Sequence, residues 1–352
     1  MLKMLDFIAA PIKKLTFNSA KLRAALRRAN RVGVVGVILE FREIKVYSAS
    51  DFPSYLPKLN SLFDDLFADG KYFRSQLVGR IGKQLGIDSS GLQLLGQTIE
   101  FIHNASLLHD DLVDRSHLRR NKTTAWLKYT PEYAVLAGDY LLARVMVNLS
   151  THGNMELVKY TSEMISDLLE GEWIQDSLVR DWDIEMSQLD RVHDLKTASL
   201  FKWCLKAPFL YARNFEPDLH RRLTEMGRLL GVLFQRGDDL LDFDVRNEEG
   251  KAILGDLKSG YLNSFGVFLS EPLAENIKKN FIQSQSMADV LNAMGADYFN
   301  ARLAEFDVEN KQLIGLYQQL VRGVRDQLSE QQKPLCDDLM KLCDLLYWRK
   351  KS

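Results

Sequence analysis

Two aspartate clusters with the same spacing are the residues of this sequence best suited to chemistry. Both follow the pattern Asp-Asp-x-x-Asp, and they comprise Asp110, Asp111 and Asp114 in the first cluster and Asp238, Asp239 and Asp242 in the second. Residues i and i+4 of a helix lie one above the other, so each cluster is predicted to present two carboxylates on one helical face. Like charges beside apolar turns are costly unless a cation joins them.

Magnesium is the cation that this pattern favours. It takes oxygen ligands and is typically shared between one or two carboxylates and the phosphates of a substrate. Basic residues that suit phosphate oxygens lie near the first cluster, and they are Lys71, Arg74, Arg119 and Arg120. Each cluster taken alone is also compatible with a solvated helix end. The repetition of the cluster in one chain, with basic residues nearby, favours a site for magnesium and diphosphate.

The elements that must position these clusters are predicted to be helices. Apolar residues recur at three and four positions in the windows 56–67, 92–108, 133–149, 157–174, 219–234 and 310–328. Strand signals are confined to 32–47, which could form a short hairpin or an irregular arm. We therefore expect an all-α fold, with a basic N-terminal extension over 1–48 and one helical bundle around a deep central cavity over 49–352.

Composition narrows the class of protein further. Apolar residues make up 46% and charged residues 26% of the 352 residues, as in folded soluble proteins. Residues 1–50 hold ten Lys and Arg against three acidic residues, while the remainder is acidic. This basic arm could lie on an anionic membrane surface or pack on a dimer partner. The acidic body disfavours nucleic-acid binding, and the odd number of cysteines favours a reducing, cytoplasmic location.

The order of motifs resembles that of the trans-isoprenyl (polyprenyl) diphosphate synthases over roughly residues 50–345. The matching elements are Gly70-Lys71-Tyr72-Phe73-Arg74, the histidine of Glu100-Phe101-Ile102-His103, the segment from Asp110 to Arg120, Gly138-Asp139, Gly171-Glu172-Trp173-Ile174-Gln175, Lys196-Thr197 and the segment from Phe234 to Asp242. The resemblance implies a magnesium-dependent prenyltransferase, commonly a homodimer, that condenses isopentenyl diphosphate with an allylic diphosphate.

The resemblance also implies roles for individual residues. Asp110, Asp114 and Asp238 would bind the magnesium ions that hold the allylic diphosphate, with Asp242 as a further metal residue. Diphosphate contacts are implied for two groups, Arg119 with Lys196 on the allylic substrate, and Lys71, Arg74, His103 and Arg120 on isopentenyl diphosphate. Thr197 and Gln235 would line the space between the two substrates. Catalysis would be electrostatic, with Asp110, Asp114, Asp238 and Lys196 as its principal residues and the released diphosphate as base.

Small residues before the first cluster point to a long product. In this family the growing tail runs beside the helix that carries the first cluster, and Ala105 and Ser106 resemble the small pair of longer-chain members. One turn deeper, Phe101 or Ile102 could close the cavity, and Met146 or Val147 could do so from the opposite helix. A medium or long product, beyond farnesyl, is expected.

One departure from the family pattern keeps other functions open. Tyr261 follows Gly260 where the family usually has a lysine, and Asn263 stands where threonine is typical, although Lys258 or Lys251 could substitute. A catalytically weak or regulatory subunit of a heteromeric synthase is therefore an alternative. A terpene cyclase is a second alternative, but a cyclase does not need the second diphosphate site that the basic residues predict.

Overall fold

Helices dominate the parts of the chain that the structure describes. The structure is a computed structural model that describes residues 46–47, 51–68, 72–119, 122–245 and 253–348. The first half of the described chain contains α1 Pro57–Ala68, α2 Phe73–Gln84, α3 Ser89–Val113, β1 Leu118–Arg119, β2 Lys122–Thr123, α4 Ala125–Lys128, α5 Pro131–His152 and α6 Met155–Ser177. The two short strands pair antiparallel and form a small hairpin.

The second half is built almost entirely of helices. It contains α7 Met186–Val192, a π-helix His193–Ala198, α8 Ser199–Tyr211, α9 Pro217–Asp239, a 3₁₀ helix Leu240–Phe243, α10 Gly255–Ser259, α11 Ser264–Ser270, α12 Glu275–Ile282, α13 Met287–Met294, α14 Ala296–Arg325 and α15 Pro334–Tyr347. Each of the six windows predicted as helical coincides with or overlaps one of these helices, and the all-α prediction is confirmed. None of the described helices has the length and apolar character needed to cross a membrane.

The buried apolar side chains form two clusters that share helix α8. Phe201, Leu205 and Phe209 of α8 belong to the cluster formed with α9, α14 and α15. Trp203 and Cys204, on another face of α8, belong to the cluster formed with α3 and α5. A helix that is apolar on all sides is expected where it is surrounded by protein. Helix α8 is therefore a central helix between the two parts of the core.

Glycines allow the helices around the aspartate clusters to approach closely. A Cβ atom at Gly231 of α9 would lie 2.2 Å from the Cα atom of Ala198, the last residue of the π-helix. A Cβ atom at Gly171 of α6 would lie 2.9 Å from the backbone nitrogen of Lys196. Because neither glycine has a side chain, α6 and α9 both lie directly against the π-helix. This packing positions Lys196 between helices that carry acidic residues.

The predicted N-terminal extension lies outside the described residues except at its end. There Val46 is buried, and the Tyr47 ring lies 5.4 Å from the ring of Phe52. Phe52 in turn stacks on Phe63 at a centroid distance of 3.7 Å. The segment that leads into α1 is thus packed on the core formed with α3 and α5. The boundary predicted between 48 and 49, and the hairpin predicted within 32–47, stay predictions.

Candidate active site

The first aspartate cluster lies at the C-terminal end of α3. Asp110 and Asp111 are in the last turn, and Asp114 is the residue that caps it, with its N–H donating to the Asp110 carbonyl at 2.8 Å. The C-terminal end of a helix carries partial negative charge, so three aspartates there are unfavourable without a nearby cation. Within the described residues the closest cation to Asp110 is Lys196, whose Nζ lies 3.6 Å from Asp110 Oδ2.

Lys196 is shared between two acidic side chains. Its ammonium contacts the Glu172 carboxylate as well as Asp110, and the three side chains are only 16% to 20% exposed. Burial raises the pKa of Asp110 to about 7, against the opposing effect of Lys196, and the neighbouring Glu172 raises it further. Burial also raises the pKa of Asp114, and Lys196 again opposes the shift. One ammonium group is therefore too little positive charge for this set of carboxylates.

Asp111, between these two aspartates in sequence, faces a different partner. Its side chain is buried and accepts hydrogen bonds from Nε and Nη2 of Arg119, each at 2.7 Å. Arg119 was expected to contact the allylic diphosphate, and its side chain is 35% exposed while it pairs with Asp111. The first cluster thus places Asp110 and Asp114 near Lys196, and it orients Arg119 through Asp111.

The second aspartate cluster is arranged differently although its spacing is identical. Helix α9 ends at Asp239 and the chain then tightens into a 3₁₀ turn. Asp239 is buried and accepts hydrogen bonds from the Ser264 backbone N–H at 3.0 Å, the Ser264 hydroxyl at 2.5 Å and the Gln235 amide at 2.9 Å. Asp238 is only half-buried. It is the most exposed carboxylate of this cluster.

The structure corrects the position expected for Asp242. Its carboxylate is fully buried and accepts the backbone N–H groups of Gly255 at 2.8 Å and Asp256 at 3.3 Å. These are the first residues of α10, so Asp242 satisfies donors at a helix N-terminus. Asp238 and Asp242 do not form an equal pair on one exposed face, because the α-helix ends between them. Asp242 thus holds the start of α10, and its expected role as a further metal residue stays a prediction.

The π-helix connects the two clusters. It contains Lys196 and Thr197, and the Thr197 hydroxyl donates to Gln235 Oε1 at 3.1 Å. Gln235 then donates to Asp239, as described above. π-Helices are rare and occur mostly at functional sites. Here the π-helix places Lys196 against the first cluster and Thr197 against the turn of α9 that carries the second.

A second pair of basic residues, Arg74 of α2 and His103 of α3, lies on the N-terminal side of the first cluster. Arg74, near the start of α2, has Nη1 3.2 Å from Nε2 of His103. His103 lies seven residues before Asp110 on α3, which is about 10 Å along a helix axis. The predicted partners Lys71 and Arg120 lie outside the described residues. Of the four residues predicted for the second diphosphate, the structure brings Arg74 and His103 together, two turns away from the aspartates.

The predicted chain-length residues lie on α3 and α5 in distinct environments. Ala105 and Phe101 are fully buried, and the Phe101 ring lies 5.9 Å from that of Phe52. Ser106 is half-buried and donates to the His103 carbonyl at 2.9 Å. Met146 is half-buried on the side of α5 that meets α6, where its sulfur lies 3.9 Å from the Ser162 hydroxyl. Phe101 therefore adjoins a cluster of aromatic rings one turn below Ala105.

The region that departs from the family pattern has no lysine beside the aspartates among the described residues. Lys258 Nζ donates to the Ile253 carbonyl at 2.9 Å, and Lys251 lies outside the described residues. Tyr261 is largely buried near Asp239, Asp256 and Glu172. Burial, together with these three carboxylates, raises the pKa of its phenol well above the ordinary value. Tyr261 is therefore a neutral hydrogen-bond donor at this position, and it adds no positive charge.

Three site features were missed from the sequence. Glu172 contacts Lys196, Ser264 binds Asp239, and Asn263 caps α11 by accepting the Gly266 N–H at 3.0 Å while its amide donates to Asp256 at 2.9 Å. Glu172 could have been found, because it adjoins a glycine within a recognised motif. Ser264 carries no local signal, since Asp239 lies 25 residues away in the chain, whereas Asn263 could have been found as an N-cap residue.

The residues present suit magnesium held jointly with a diphosphate. Asp110 and Asp114 adjoin one another with pKa values raised by burial, which indicates a deficit of positive charge. No group of three or more His, Cys, Asp or Glu side chains is arranged around a metal position in the described parts of the chain. Magnesium commonly takes one or two protein carboxylates and completes its shell with water and substrate phosphates. The donor set fits that mode of binding.

Comparisons with known proteins define the class first and then the family. A crystal structure of a decaprenyl diphosphate synthase from Rhodobacter capsulatus superposes with a TM-score of 0.74 at 26% identity, covering 94% of this chain and 100% of that one. The fold is thus that of the all-α polyprenyl synthases. A family model for polyprenyl synthetase matches residues 56–294. The chain belongs to the polyprenyl synthetase family.

Sequence relatives agree with this assignment. The chain is 34% identical over 250 residues to the chloroplastic solanesyl diphosphate synthase 1 of Arabidopsis thaliana, a match that covers 68% of this chain and 61% of the relative. It is 35% identical over 243 residues to a prenyl transferase of Synechocystis sp., covering 67% of this chain and 75% of the relative. The match to two further solanesyl diphosphate synthases spans 61% and 59% of their length.

Proposed function

We propose that this protein is a trans-prenyltransferase that condenses isopentenyl diphosphate with an allylic diphosphate and releases an all-trans polyprenyl diphosphate longer than farnesyl. The observation that carries the proposal is the position of the π-helix. Lys196 lies 3.6 Å from Asp110, and the adjacent Thr197 binds Gln235, three residues before Asp238. The π-helix therefore links the ends of the two helices that carry the aspartate clusters, as expected if both clusters bind a single diphosphate through metal ions.

Three carboxylates are proposed as magnesium ligands, and they are Asp110, Asp114 and Asp238. Bound magnesium would neutralise the charge that develops on the leaving diphosphate. Lys196 and Arg119 are proposed to bind oxygens of the same diphosphate. Asp239 and Asp242 would act indirectly, since both carboxylates already accept hydrogen bonds that hold α10 and α11 beside the site.

The second substrate is proposed to bind about two turns away. Arg74 and His103, which lie 3.2 Å apart, together with Lys71 and Arg120, would hold the diphosphate of isopentenyl diphosphate. In the reaction the allylic C–O bond breaks, the isopentenyl double bond supplies the electrons of the new C–C bond, and a proton leaves to the released diphosphate. The buried apolar surfaces of α3 and α5 would exclude water from the reacting carbons.

Product length is proposed to be set along α3. Ala105 has no side chain beyond Cβ and leaves room for a growing tail, whereas Phe101 is the first aromatic residue one turn deeper on α3. Related proteins named as solanesyl, octaprenyl and decaprenyl diphosphate synthases support a product beyond farnesyl. Ser106 and Met146 are proposed to have smaller effects, because Ser106 faces His103 and Met146 faces α6.

A homodimer is proposed on the basis of exposed apolar residues on α5 and α6. Leu136 is 66% exposed, Val147 50%, Leu169 53% and Trp173 78%. Several large apolar side chains exposed on two consecutive helices favour an interface there. We expect Trp173→Glu to convert a dimer into a monomer in light scattering, while Glu163→Gln on the same helix leaves the mass unchanged. A monomeric wild type would contradict the dimer.

A cytoplasmic location and membrane contact through the basic arm are two further proposals. Cys204, Cys336 and Cys343 are all buried and unpaired, which is compatible with a reducing compartment such as the cytoplasm. Peripheral membrane contact through 1–48 is tested by binding of the full chain and a chain lacking 1–48 to anionic liposomes. Equal binding of the two would remove the membrane role.

The catalytic proposal is tested with purified protein, magnesium, labelled isopentenyl diphosphate and either geranyl or farnesyl diphosphate. Chromatography of the dephosphorylated products is expected to show a series that ends at one chain length beyond farnesyl. The series should depend on magnesium and disappear in Asp238→Asn. It should persist in Asp183→Asn, whose side chain is 89% exposed and pairs with Lys278.

A regulatory subunit is the alternative that Tyr261 supports, because a neutral phenol stands where the family usually has lysine. Folded protein that incorporates no label with either primer would favour this alternative. Addition of a partner synthase would then be expected to change the rate or product length of that synthase. A cyclic product formed from labelled geranyl or farnesyl diphosphate, without isopentenyl diphosphate, would instead favour a cyclase.

A further inference from the structure

Glu172 is the second acidic contact of Lys196 and has no role in the proposal so far. Its carboxylate touches the Lys196 ammonium, while Asp110 Oδ2 lies 3.6 Å from the same nitrogen. The Glu172 side chain is 16% exposed, so the contact is largely shielded from water. Two opposite charges shielded from water in this way attract one another more strongly than two charges on an open surface.

The position of Glu172 is fixed by the backbone beside it. Gly171 lies close against the π-helix. A Cβ atom at Gly171 would lie 2.9 Å from the backbone nitrogen of Lys196 and 3.0 Å from the Cβ atom of Leu195. Glu172 therefore starts from a helix segment in direct contact with the backbone of the lysine that it binds. Its carboxylate and the Lys196 ammonium are held together by two packed helices and not by long flexible side chains alone.

Binding of a metal at Asp110 changes what Lys196 can do. A cation bound to Asp110 would repel the Lys196 ammonium, which lies 3.6 Å from Asp110 Oδ2, and would weaken the attraction of Asp110 for the lysine. Glu172 gives the ammonium a second acidic contact. We propose that Glu172 is a positioning residue that retains Lys196 when Asp110 binds metal and directs its ammonium toward the allylic diphosphate.

This inference rests on the proposed function, because it assumes that Asp110 is a metal ligand. Without Glu172, the described residues offer Lys196 only Asp110 as a close acidic contact, and the lysine then competes with the metal. Glu172→Gln is therefore expected to weaken metal binding. The neighbouring Glu170 provides a matched control, because its exposed side chain faces Arg191 at 3.9 Å and makes no contact with Lys196.

The test measures Mn²⁺ binding to the full chain by electron paramagnetic resonance in the presence of inorganic diphosphate. We expect Glu172→Gln to weaken the apparent Mn²⁺ affinity by about threefold to tenfold, as for loss of one partly shielded charge contact. Glu172→Asp, which keeps the charge, should recover part of the loss. Glu170→Gln should bind Mn²⁺ like the wild type, and circular dichroism should show that all variants fold.

A double-mutant cycle separates positioning from simple attraction of the metal by a nearby negative charge. If Glu172 acts through Lys196, Glu172→Gln should have little further effect in a Lys196→Gln background, with a change of less than about twofold. An undiminished loss in that background would overturn the inference, as would wild-type Mn²⁺ affinity in Glu172→Gln itself. The four proteins could give the predicted Mn²⁺ cycle while the wild type catalyses no condensation. That result would support the Lys196–Glu172 inference and contradict the proposed function.

Discussion

The two aspartate clusters have identical spacing but different surroundings. In the first cluster, Asp110 and Asp114 lie at a helix end beside one shared lysine, and burial raises the pKa of both. In the second, Asp239 and Asp242 are buried and accept backbone N–H groups that hold α11 and α10. The same spacing thus leaves Asp110 and Asp114 beside a single cation, while it gives Asp239 and Asp242 backbone hydrogen bonds. The partners of each carboxylate decide its role.

The largest expected effect is the loss of activity when Asp110 of the first cluster is replaced. Asp110→Asn should lower kcat/KM by about 1000-fold or more, because the variant removes a proposed metal ligand at the leaving diphosphate. Its metal-free stability should not fall, since the ionised Asp110 lies in an unfavourable environment. Steady-state kinetics and thermal unfolding in chelator measure the two properties. Activity within tenfold of wild type would remove Asp110 from the metal site.

Asp242, a buried member of the second cluster, should respond mainly in stability. Asp242→Ala leaves the buried N–H groups of Gly255 and Asp256 without their acceptor and should reduce the free energy of unfolding by about 2–4 kcal/mol. Asp114→Asn, at the exposed end of the first cluster, should change it by less than about 0.5 kcal/mol. Urea unfolding followed by circular dichroism provides the comparison. Equal effects of the two substitutions would show that the clusters do not differ as described.

The pH dependence of stability sharpens the comparison. Asp110 has a folded-state pKa of about 7 against an ordinary pKa of 3.8, so the folded state binds its proton more tightly than the unfolded state does. Its contribution is favourable when the group is protonated and is lost as pH rises from about 4 through 7. Asp110→Asn should therefore gain stability relative to metal-free wild type over that range. A constant difference between the two proteins across this range would contradict the raised pKa.

The smallest effect on activity is expected at Asp111, the member of the first cluster that does not face Lys196. Asp111→Asn weakens the pair with the partly exposed Arg119 and should cost about 1 kcal/mol of stability. Because Asp111 acts through Arg119, kcat/KM should fall by less than tenfold and mainly through the KM of the allylic substrate. A loss as large as that of Asp110→Asn would make Asp111 a direct ligand.

Sequence patterns predicted the helices well because buried faces repeat at helical spacing over long windows, as in 133–149 and 219–234. They also located Asp110, Lys196, Arg74 and His103, which belong to local motifs. The burial of Asp242 could not be predicted, because the change from α-helix to 3₁₀ turn at Leu240 depends on packing against α10 and α11. The contact between Lys196 and Glu172 depends likewise on how α6 meets the π-helix.

The most direct test of the convergence of the two clusters is a crystal structure with magnesium and a non-reactive allylic diphosphate analogue. We predict magnesium at about 2.0–2.1 Å from carboxylate oxygens of Asp110, Asp114 and Asp238. Lys196 should then donate to the diphosphate while it keeps its contact with Glu172, and Asp242 should stay buried against α10. Magnesium bound to only one of the two clusters, or a diphosphate that contacts neither Lys196 nor Asp238, would contradict a single shared site.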